Sequence, residues 1–225
     1  MLTHVLIIPD GNRRFAKLRN IDEGVVYKFI SDYTTTATIK FFLIEKKISE
    51  LSIFAISRHN VLNRNKKDLE NIYEAQIELY KKWGKDEEMK KAGIRFSFVG
   101  DKILLPKEYQ QTINELENNT KKYSGPICNL LTAYDGQWDL IQATKKAGKK
   151  NEELNEEDMY KYLEIQTPID LVIRTGKEKR LSGCPLYQMS YAELVFKDYF
   201  YPELTVDKLK EIYDEFIKRE RRFGK

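Results

Sequence analysis

Short apolar runs alternate with longer amphipathic stretches along nearly the whole chain. Six of the runs have the length and the branched or aromatic content of buried strands. The candidate strands are His4–Ile8, Glu50–Ser57, Ile94–Val99, Ile127–Ala133, Ile169–Arg174 and Glu193–Phe196. The helical patterns lie near Tyr27–Lys46, Lys66–Lys91, Lys107–Lys121, Gln137–Ala147, Asn155–Leu163 and Val206–Arg219. This alternation predicts an α/β fold, in which a mainly parallel six-stranded sheet carries helices on both faces.

Composition and charge narrow the class of protein. The lack of an internal repeat and of a Pro/Gly-rich linker predicts a single domain over residues 1–225. The chain has 39 Lys and Arg against 35 Asp and Glu, and this mildly basic, mixed charge argues against a dedicated nucleic-acid binder. Two cysteines, Cys128 and Cys184, form no C-x-x-C pair, and no signal peptide or membrane-spanning apolar run is visible. These features predict a cytoplasmic protein.

The helical pattern of Lys66–Lys91 contains one continuous apolar stripe. The stripe consists of Leu69, Ile72, Tyr73, Ile77, Tyr80 and Trp83. Such a stripe is typical of a helix that packs on a core, and it would also suit one wall of an apolar tunnel. Both interpretations can hold for different residues of the helix.

A polar segment follows the first candidate strand. Asp10, Gly11 and Asn12 favour turns and helix N-caps, and a helix is predicted to begin with Arg13 and Arg14. A strand that enters a helix N-terminus through a glycine turn creates an anion site, because free N–H groups and the helix dipole point to one spot. The Asp10 carboxylate would repel an anion unless a cation lies between them, which predicts Mg²⁺ shared with substrate phosphate. The alternative is a capped helix with a solvated basic face.

A second basic segment follows the fifth candidate strand. Arg174 is the last residue of that strand, where an unpaired guanidinium would be costly. Arg174, Arg180 and Ser182 lie within nine residues, and guanidinium groups pair bidentately with phosphate oxygens. The segment therefore predicts a diphosphate site, whereas the alternative is an ordinary solvated turn.

The ends of the candidate strands predict where a ligand binds. In a parallel sheet, ligands bind beyond the carboxyl ends of the strands. The residues at such ends are Asp10, Ser57, Asp101, Ala133 and Arg174. We therefore expect these five residues to share one rim of the sheet.

Four segments match the motifs of one known family in composition and order. The first is Asp10-Gly11-Asn12-Arg13-Arg14-Phe15-Ala16-Lys17, and the second is Ser57-Arg58-His59-Asn60, which is similar to a Ser-x-Glu-Asn motif. The third is Ile169-Asp170-Leu171-Val172-Ile173-Arg174-Thr175-Gly176 together with Glu193–Phe196. The fourth is Arg219-Glu220-Arg221-Arg222-Phe223-Gly224, which is similar to a closing Arg-x-Gly motif. Together they resemble the signatures of the cis-prenyltransferases, the undecaprenyl diphosphate synthase family.

The resemblance implies a fold, a reaction and partners. It implies a Mg²⁺-dependent prenyltransferase that condenses an allylic prenyl diphosphate with isopentenyl diphosphate over an apolar substrate tunnel. It implies a homodimer, or else a heterodimer, that binds no nucleic acid. Its lipid product implies peripheral association with a membrane.

The resemblance also assigns roles by position. The reacting groups would be ordered by Asp10, Asn12 and Ser57. The residues around the allylic diphosphate would be Gly11, Asn12, Arg13 and Arg14. The isopentenyl diphosphate would be held by Arg174, Arg180 and Ser182. The metal-site carboxylates would be Asp10 and Glu193, and the site would be closed, across the dimer interface, by Arg222 and Gly224.

The chain departs from the family pattern near the expected reacting carbons. His59 replaces a usual Glu and Val61 replaces a usual Trp, while Asp10 and the arginines of both diphosphate sites are kept. Cis-type chain extension to a short or atypical product is therefore the favoured reaction. The alternatives are a branched, non-head-to-tail condensation and a non-catalytic partner subunit of a prenyltransferase.

Overall fold

One parallel sheet forms the centre of the computed structural model, which describes residues 1–150 and 155–220. Its strands are β1 (His4–Ile8), β2 (Glu50–Ser57), β3 (Arg95–Val99), β4 (Ile127–Tyr134), β5 (Leu171–Arg174) and β6 (Glu193–Phe196). Their order is β3-β4-β2-β1-β5-β6, and each neighbouring pair is parallel. The predicted α/β fold is thus confirmed, and across these residues the six-stranded sheet is parallel throughout.

Helices occupy most connections between successive strands, as parallel pairing requires, and one helix follows the last strand. They are α1 (Asn12–Arg19), α2 (Glu23–Phe29), α3 (Thr36–Ile39), α4 (Arg58–Asn63), α5 (Lys66–Trp83), α6 (Glu87–Lys91), α7 (Lys107–Thr120), α8 (Gly136–Gly148), α9 (Glu156–Met159) and α10 (Val206–Lys218). Short 3₁₀ turns occupy Lys102–Leu104 and Tyr201–Glu203. None of the helices in the described ranges is both long and apolar enough to span a bilayer.

The predicted helix boundaries differ from the observed ones where a local cap intervenes. The pattern over Lys66–Lys91 divides into α5 and α6, because Gly84 ends the first helix and the Asp86 side chain caps the second. That cap accepts a backbone N–H three residues further on, at 3.0 Å. The helix predicted over Asn155–Leu163 is shorter, since α9 contains four residues. The pattern does not predict the short helix α4 directly after β2.

Residues 23–45 form one continuous helix that contains two π-helical stretches. α2 passes into a π-helical stretch at Ile30–Thr35, and α3 passes into a second one at Lys40–Glu45. The helix begins before the predicted Tyr27–Lys46, because the Asp22 carboxylate caps it by accepting the Gly24 N–H at 2.8 Å. A π-helical stretch widens the turn, so the inward face of this helix does not follow a regular 3.6-residue pattern.

Side chains that alternate along the strands pack in two separate cores. Val5 and Ile7 of β1 belong to the larger core, together with residues of α2, α3, α5, α7 and α10. Leu6 and Ile8 belong to a smaller core on the opposite face. Both faces of β1 are therefore buried, which explains why this strand is a continuous apolar run and not an alternating one.

A buried polar network lies at the amino end of the sheet, opposite the strand ends that contain the predicted site. His4 Nε2 lies 2.8 Å from Ser52 Oγ, and its Nδ1 lies 2.9 Å from the Thr167 hydroxyl. Glu50 accepts from Thr167 at 2.6 Å and from the Asn129 amide at 2.5 Å. The network joins β1, β2 and β4 through hydrogen bonds in a low-dielectric interior. Burial lowers the pKa of His4 below its ordinary value, although the charge of Glu50 opposes this shift.

His4 makes the free energy of unfolding depend on pH. Because its pKa is lower in the folded chain, the unfolded chain binds more protons once the pH falls below 6.5. The free energy of unfolding is therefore greatest above that pH, where His4 is neutral in both states. It decreases as the pH falls toward the pKa of His4 in the folded chain. We predict that His4→Gln flattens this slope between about pH 7 and 5, measured by chemical denaturation. His59→Gln, at an exposed position, is the control, and an unchanged slope in His4→Gln would contradict the prediction.

Candidate active site

The ends of β1 and β5 bring the two predicted polar segments together at the carboxyl edge of the sheet. Ile8 is in register with Arg174, so the chain leaves both strands at the same level. Gly11 has a φ of 94° and Gly176 has a φ of 89°, in the left-handed region that favours glycine. A Cβ atom on Gly11 would lie 2.3 Å from the ring of Phe200. One on Gly176 would lie 2.7 Å from a backbone carbon of the first turn, so the two turns pack backbone to backbone.

Asp10 is held in one orientation by both segments. Its Oδ2 accepts from Arg174 Nη2 at 2.7 Å, and its Oδ1 accepts from Arg14 Nη2 at 3.1 Å and from the Gly11 N–H at 2.6 Å. The Thr175 hydroxyl accepts from the Asp10 N–H at 3.1 Å and donates to its carbonyl oxygen at 2.9 Å. The Asp10 side chain nevertheless stays 28% exposed, so the carboxylate is both oriented and accessible.

Arg174 connects the second polar segment to Asp10. Its side chain is 5% exposed, and it donates to the Arg180 carbonyl oxygen and, at 3.2 Å, to Ser182 Oγ. Its Nε is a buried donor with no hydrogen-bond partner among the described residues. Arg174 therefore holds Arg180 and Ser182 close to Asp10, and it keeps one donor that a ligand could pair.

Helix α1 begins at the same edge without a side-chain cap, since its N-cap residue is Gly11. Its first backbone N–H groups and the positive end of its dipole are therefore available to an anion. Within the described chain, the Oδ1 of Asn12 is a buried acceptor without a hydrogen-bond partner. The free N–H groups match the anion site that the sequence predicts, whereas the Asn12 oxygen, as an acceptor, would pair with a donor or a cation.

The two arginines in the first turn of α1 have different partners. Arg13 pairs with Glu23 at 3.2 Å and with Asp68 at 3.5 Å, and the hydrogen bond to Glu23 raises the pKa of its guanidinium. Arg14 pairs with Asp10 and, at 2.9 Å, with Glu178. Both arginines line a pocket of about 450 Å³ at this edge. Only Arg14 of the two is directed at the Asp10 carboxylate.

A cavity of about 700 Å³ opens from this edge toward α2 and α5. Its polar mouth includes Asp10, Asn12, Ser57, Arg174, Arg180 and Ser182. Its apolar wall includes Ile30, Ile53, Ile72, Ala75, Leu79 and Trp83. Of the predicted stripe on α5, Ile72, Tyr80 and Trp83 line the cavity. Tyr73 and Ile77 pack in the larger core without reaching the cavity, so the stripe divides between core and cavity wall, and the tunnel stays a prediction.

Three titratable side chains of the cavity wall are neutral near pH 7. Burial raises the pKa of the Cys184 thiol to about 12 and the pKa of Tyr201 to about 12. Burial also raises the pKa of Tyr80 well above its ordinary value. A protonated, buried thiol is a poor nucleophile. The charge of the site is therefore concentrated at the mouth, and the wall suits an apolar ligand.

The last residue of β2 and the start of α4 contribute Ser57, His59 and Asn60 to the cavity lining. The Ser57 hydroxyl also caps α4, because it accepts from the Asn60 N–H at 3.0 Å. Val61 packs against the larger core and is not among the residues that line the cavity. His59 therefore lines the cavity, as expected of a residue near the substrate, and Val61 does not; their distance from the reacting carbons stays a prediction.

Three of the five predicted rim residues share the cavity, namely Asp10, Ser57 and Arg174. Asp101 instead pairs, at 3.3 Å, with the first arginine of α4. Ala133 is fully buried and contributes no side chain to the cavity. The cavity therefore lies at the predicted carboxyl edge, but only part of that edge lines it.

Glu193 lies away from Asp10 within the same chain. It is in register with Leu171, three residues before the end of β5, which is about 10 Å along the strand. Two strand spacings, each about 4.8 Å, separate β6 from β1 in addition. The Glu193 carboxylate accepts from Arg219 at 2.9 Å. The two carboxylates that were expected to share a metal ion are thus not brought together in one chain.

The predicted residues Arg222 and Gly224 lie outside the part of the chain that the structure describes. Their contact with a partner's site therefore stays a prediction. Within residues 1–150 and 155–220, no group of three or more His, Cys, Asp and Glu side chains could hold a metal ion. A metal ion at Asp10 would need oxygen ligands from the substrate as well.

Three further residues of the site have no predicted role. Thr175 brackets the backbone of Asp10, Glu178 joins two arginines, and Phe200 covers the glycine turn before α1. Thr175 and Glu178 belong to the second basic segment, so the sequence could have placed them near the site. Their contacts with the first segment could not have been predicted. Phe200 has no local signal, because its contact with the first turn arises only when the chain folds.

Known proteins are similar to this chain over nearly its whole length. The family described as putative undecaprenyl diphosphate synthase matches residues 8–224. A tritrans,polycis-undecaprenyl-diphosphate synthase (geranylgeranyl-diphosphate specific) of Pyrobaculum aerophilum is 35% identical over 99% of this chain and 96% of that relative. The crystal structure of a probable undecaprenyl diphosphate synthase from Campylobacter jejuni is 32% identical, with a TM-score of 0.84 over 100% of this chain and 99% of that one. Lavandulyl diphosphate synthase from Lavandula x intermedia, solved in complex with dimethylallyl diphosphate, is 27% identical, with a TM-score of 0.87 over 99% and 98% of the two chains.

The family match includes both polar segments and the whole of β5, which positions the second one. The similarity to each relative covers almost all of both chains, so it concerns the whole fold and not a single motif. The chain belongs to the undecaprenyl diphosphate synthase family, the cis-prenyltransferases, and is a prenyltransferase.

Proposed function

We propose that this prenyltransferase condenses an allylic prenyl diphosphate with isopentenyl diphosphate, in a Mg²⁺-dependent, cis-type extension that ends at a short or atypical product. The observation that carries the proposal is that one cavity joins a charged mouth to an apolar wall. Arginines and a helix N-terminus surround Asp10 at the mouth, and an apolar wall follows directly within about 700 Å³. A diphosphate with a hydrocarbon tail needs this combination.

The N-terminus of α1 would bind the allylic diphosphate. Its uncapped N–H groups, Asn12 and Arg14 face the mouth, and Gly11 allows the backbone to approach closely. Negative charge builds on the leaving diphosphate as the allylic C–O bond breaks, and preorganised donors stabilise that charge in the transition state. Arg14 would contribute more than Arg13, because Arg13 is engaged by two carboxylates of other helices.

Arg174, Arg180 and Ser182 would bind the diphosphate of isopentenyl diphosphate. Arg174 is buried with an unpaired Nε, whereas Arg180 is exposed, so the two guanidinium groups could pair phosphate oxygens from different sides. The double bond of this substrate attacks the cationic allylic carbon, while Asn12 and Ser57 order the reacting groups. A diphosphate oxygen or Asp10 would accept the proton that leaves.

The residues at the mouth fit a Mg²⁺ ion that is held by one carboxylate and by substrate. Asp10 offers a carboxylate that is 28% exposed, and diphosphate oxygens would be its further ligands. When bound, the ion would neutralise charge on the diphosphate. Glu193 could join such a site only from a second chain, because the sheet register separates it from Asp10 in its own chain.

We also propose a homodimer that associates with a membrane peripherally through its lipid product and is located in the cytoplasm. β6 is an edge strand that pairs only with β5 among the described strands. Leu194 on this strand is 41% exposed, and Tyr191 just before it is 71% exposed. An apolar strand edge of this kind favours coverage by a second chain.

The cavity volume supports a short product, since about 700 Å³ lies within the range of roughly 300–1,000 Å³ that small-molecule sites occupy. A branched, non-head-to-tail condensation with dimethylallyl diphosphate is the second candidate reaction. The similarity to lavandulyl diphosphate synthase, which was solved with that ligand, favours it. His59 in the cavity lining favours it as well, because it replaces the usual family carboxylate.

Product length should respond to Ala75, which lines the cavity from α5 and is 7% exposed. We predict that Ala75→Phe removes the longest products, because the larger side chain fills space that the growing tail would use. Overpacking costs about 1–3 kcal/mol of stability, so a melting curve must accompany the product analysis. Ala37→Phe, at a half-buried helical position outside the lining, is the control. An unchanged product distribution in Ala75→Phe would show that the chain grows elsewhere.

The reaction itself can be tested with purified protein, Mg²⁺, labelled isopentenyl diphosphate and a panel of allylic primers. We expect cis-linked extension products, identified by mass spectrometry and NMR. A branched product from dimethylallyl diphosphate would support the second candidate. A folded protein that forms no product with any primer would overturn the proposal and would favour a non-catalytic partner subunit.

A further inference from the structure

We propose that Glu178 is an internal counter-ion of the diphosphate site, whose carboxylate occupies two arginines until a diphosphate displaces it. This inference rests on the proposed function, because it takes the mouth of the cavity as the place where diphosphate binds. Glu178 would then set the affinity of the site without contacting the reacting carbons.

The Glu178 carboxylate joins the two polar segments. Its Oε1 accepts from Arg14 Nη1 at 2.9 Å, and its Oε2 accepts from Arg180 Nη1. Two oxygens of one anion thus bridge two guanidinium groups, as the oxygens of a diphosphate would. All three side chains line the pocket of about 450 Å³ at the mouth, so the carboxylate occupies space that a ligand would enter.

Each of the four arginines in the two polar segments has a carboxylate partner. Arg174 pairs with Asp10 at 2.7 Å, and Arg13 pairs with Glu23 at 3.2 Å. Arg14 and Arg180 both pair with Glu178. The charges of these four arginines are therefore compensated by carboxylates of the protein itself. A diphosphate can pair strongly with these guanidinium groups only if one of the acids moves away.

Glu178 is the acid whose release costs least. Its side chain is 30% exposed, and its partners Arg14 and Arg180 are 42% and 62% exposed. Ion pairs between such partly exposed groups contribute little to stability. Asp10 is different, because it also accepts from a backbone N–H and pairs with the buried Arg174. Release of Asp10 would leave a buried guanidinium without its charged partner.

Both arginines keep other contacts when Glu178 moves. Arg14 donates to Asp10 at 3.1 Å, and its guanidinium carbon lies 5.8 Å from the centre of the Phe200 ring. The backbone carbonyl of Arg180 accepts from Arg174. Loss of the Glu178 charge therefore leaves the Arg14 guanidinium near its place and the Arg180 main chain fixed, and it removes the carboxylate that the two side chains share. Such a pair should bind an anion more tightly than the wild-type site does.

Calorimetric titration of the whole protein with inorganic diphosphate tests this inference. Glu178→Gln keeps the shape of the side chain and removes its charge. We expect its Kd for diphosphate to be about tenfold lower than that of the wild type, the scale for removing two competing, partly exposed ion pairs. Glu87→Gln is the matched control, because Glu87 pairs with Lys90 at 2.8 Å on α6 and does not line the mouth. The control should bind diphosphate like the wild type.

An equal or higher Kd in Glu178→Gln would overturn the counter-ion role, and so would the absence of diphosphate binding in both proteins. If Glu178→Gln does not fold, Glu178→Asp must show the same direction, because its shorter side chain weakens the bridge. Prenyl transfer by the wild type is measured separately. If the wild type is active and Glu178→Gln does not change the Kd for diphosphate, only the counter-ion role is refuted. If the wild type is inactive and Glu178→Gln binds diphosphate more tightly, only the proposed reaction is refuted.

Discussion

Asp10→Asn should lower the kcat of prenyl transfer by about 10²–10³, the scale for removing a key electrostatic group. The carboxylate lies at the mouth of the cavity, where it orients Arg14 and Arg174 and would hold Mg²⁺ together with diphosphate. An amide keeps the shape but removes the charge that a hard cation requires. The measurement is steady-state turnover at saturating levels of both substrates.

The stability of the Asp10 variants separates turnover from folding. Asn can still accept the Gly11 N–H, which donates to Asp10 at 2.6 Å, so Asp10→Asn should stay folded. Asp10→Ala removes the partner of the buried Arg174, so it should melt at a lower temperature than Asp10→Asn. Near-normal turnover in a folded Asp10→Asn protein would contradict the role of Asp10 at the metal.

Arg174→Lys should lower kcat/KM for isopentenyl diphosphate by about 10²-fold, the scale for breaking a buried, hydrogen-bonded charge pair. Arg174 donates to Asp10, to the Arg180 carbonyl oxygen and to Ser182, and a single ammonium cannot reproduce this planar fork. Kinetics with each substrate varied in turn measures the effect.

Arg180→Lys is the matched comparison for Arg174→Lys. The Arg180 side chain is 62% exposed, and its guanidinium pairs with Glu178 instead of with a buried group. We therefore expect a smaller loss, mainly as a higher KM for isopentenyl diphosphate. The KM for the allylic substrate should change less in Arg180→Lys than in Arg174→Lys, since only Arg174 contacts Asp10 directly. Equal effects of Arg180→Lys on both substrates would show that the two diphosphate sites are assigned wrongly.

The strands of this protein could be predicted from its sequence because most of them are buried. β1 and β2 have the predicted bounds, and side chains pack on both faces of the sheet, so these segments are mostly apolar along their length. Asp10 and Arg174 could be predicted as neighbours for a related reason. Residues that directly follow parallel strands meet at one edge of the sheet, whatever the sequence between the strands.

Helix positions could be predicted less well, because a short-range pattern contains only periodicity and caps. The break between α5 and α6 depends on a single cap, and the two π-helical stretches in residues 23–45 leave no sign in a 3.6-residue pattern. Those stretches decide which side chains of this helix, such as Ile30 and Ser31, reach the cavity.

The sequence by itself determined the fold class, the edge of the sheet that forms the site and the residues that directly follow β1 and β5. Only the tertiary structure decided the contacts of Glu178, the cover of Gly11 by Phe200 and the packing of Val61 against the core. It also decided that Glu193 is distant from Asp10, since the register of β5 and β6 sets their separation. The physical reason is the same in each case. These contacts join residues far apart in the chain, and packing and strand register select them after the local elements have formed.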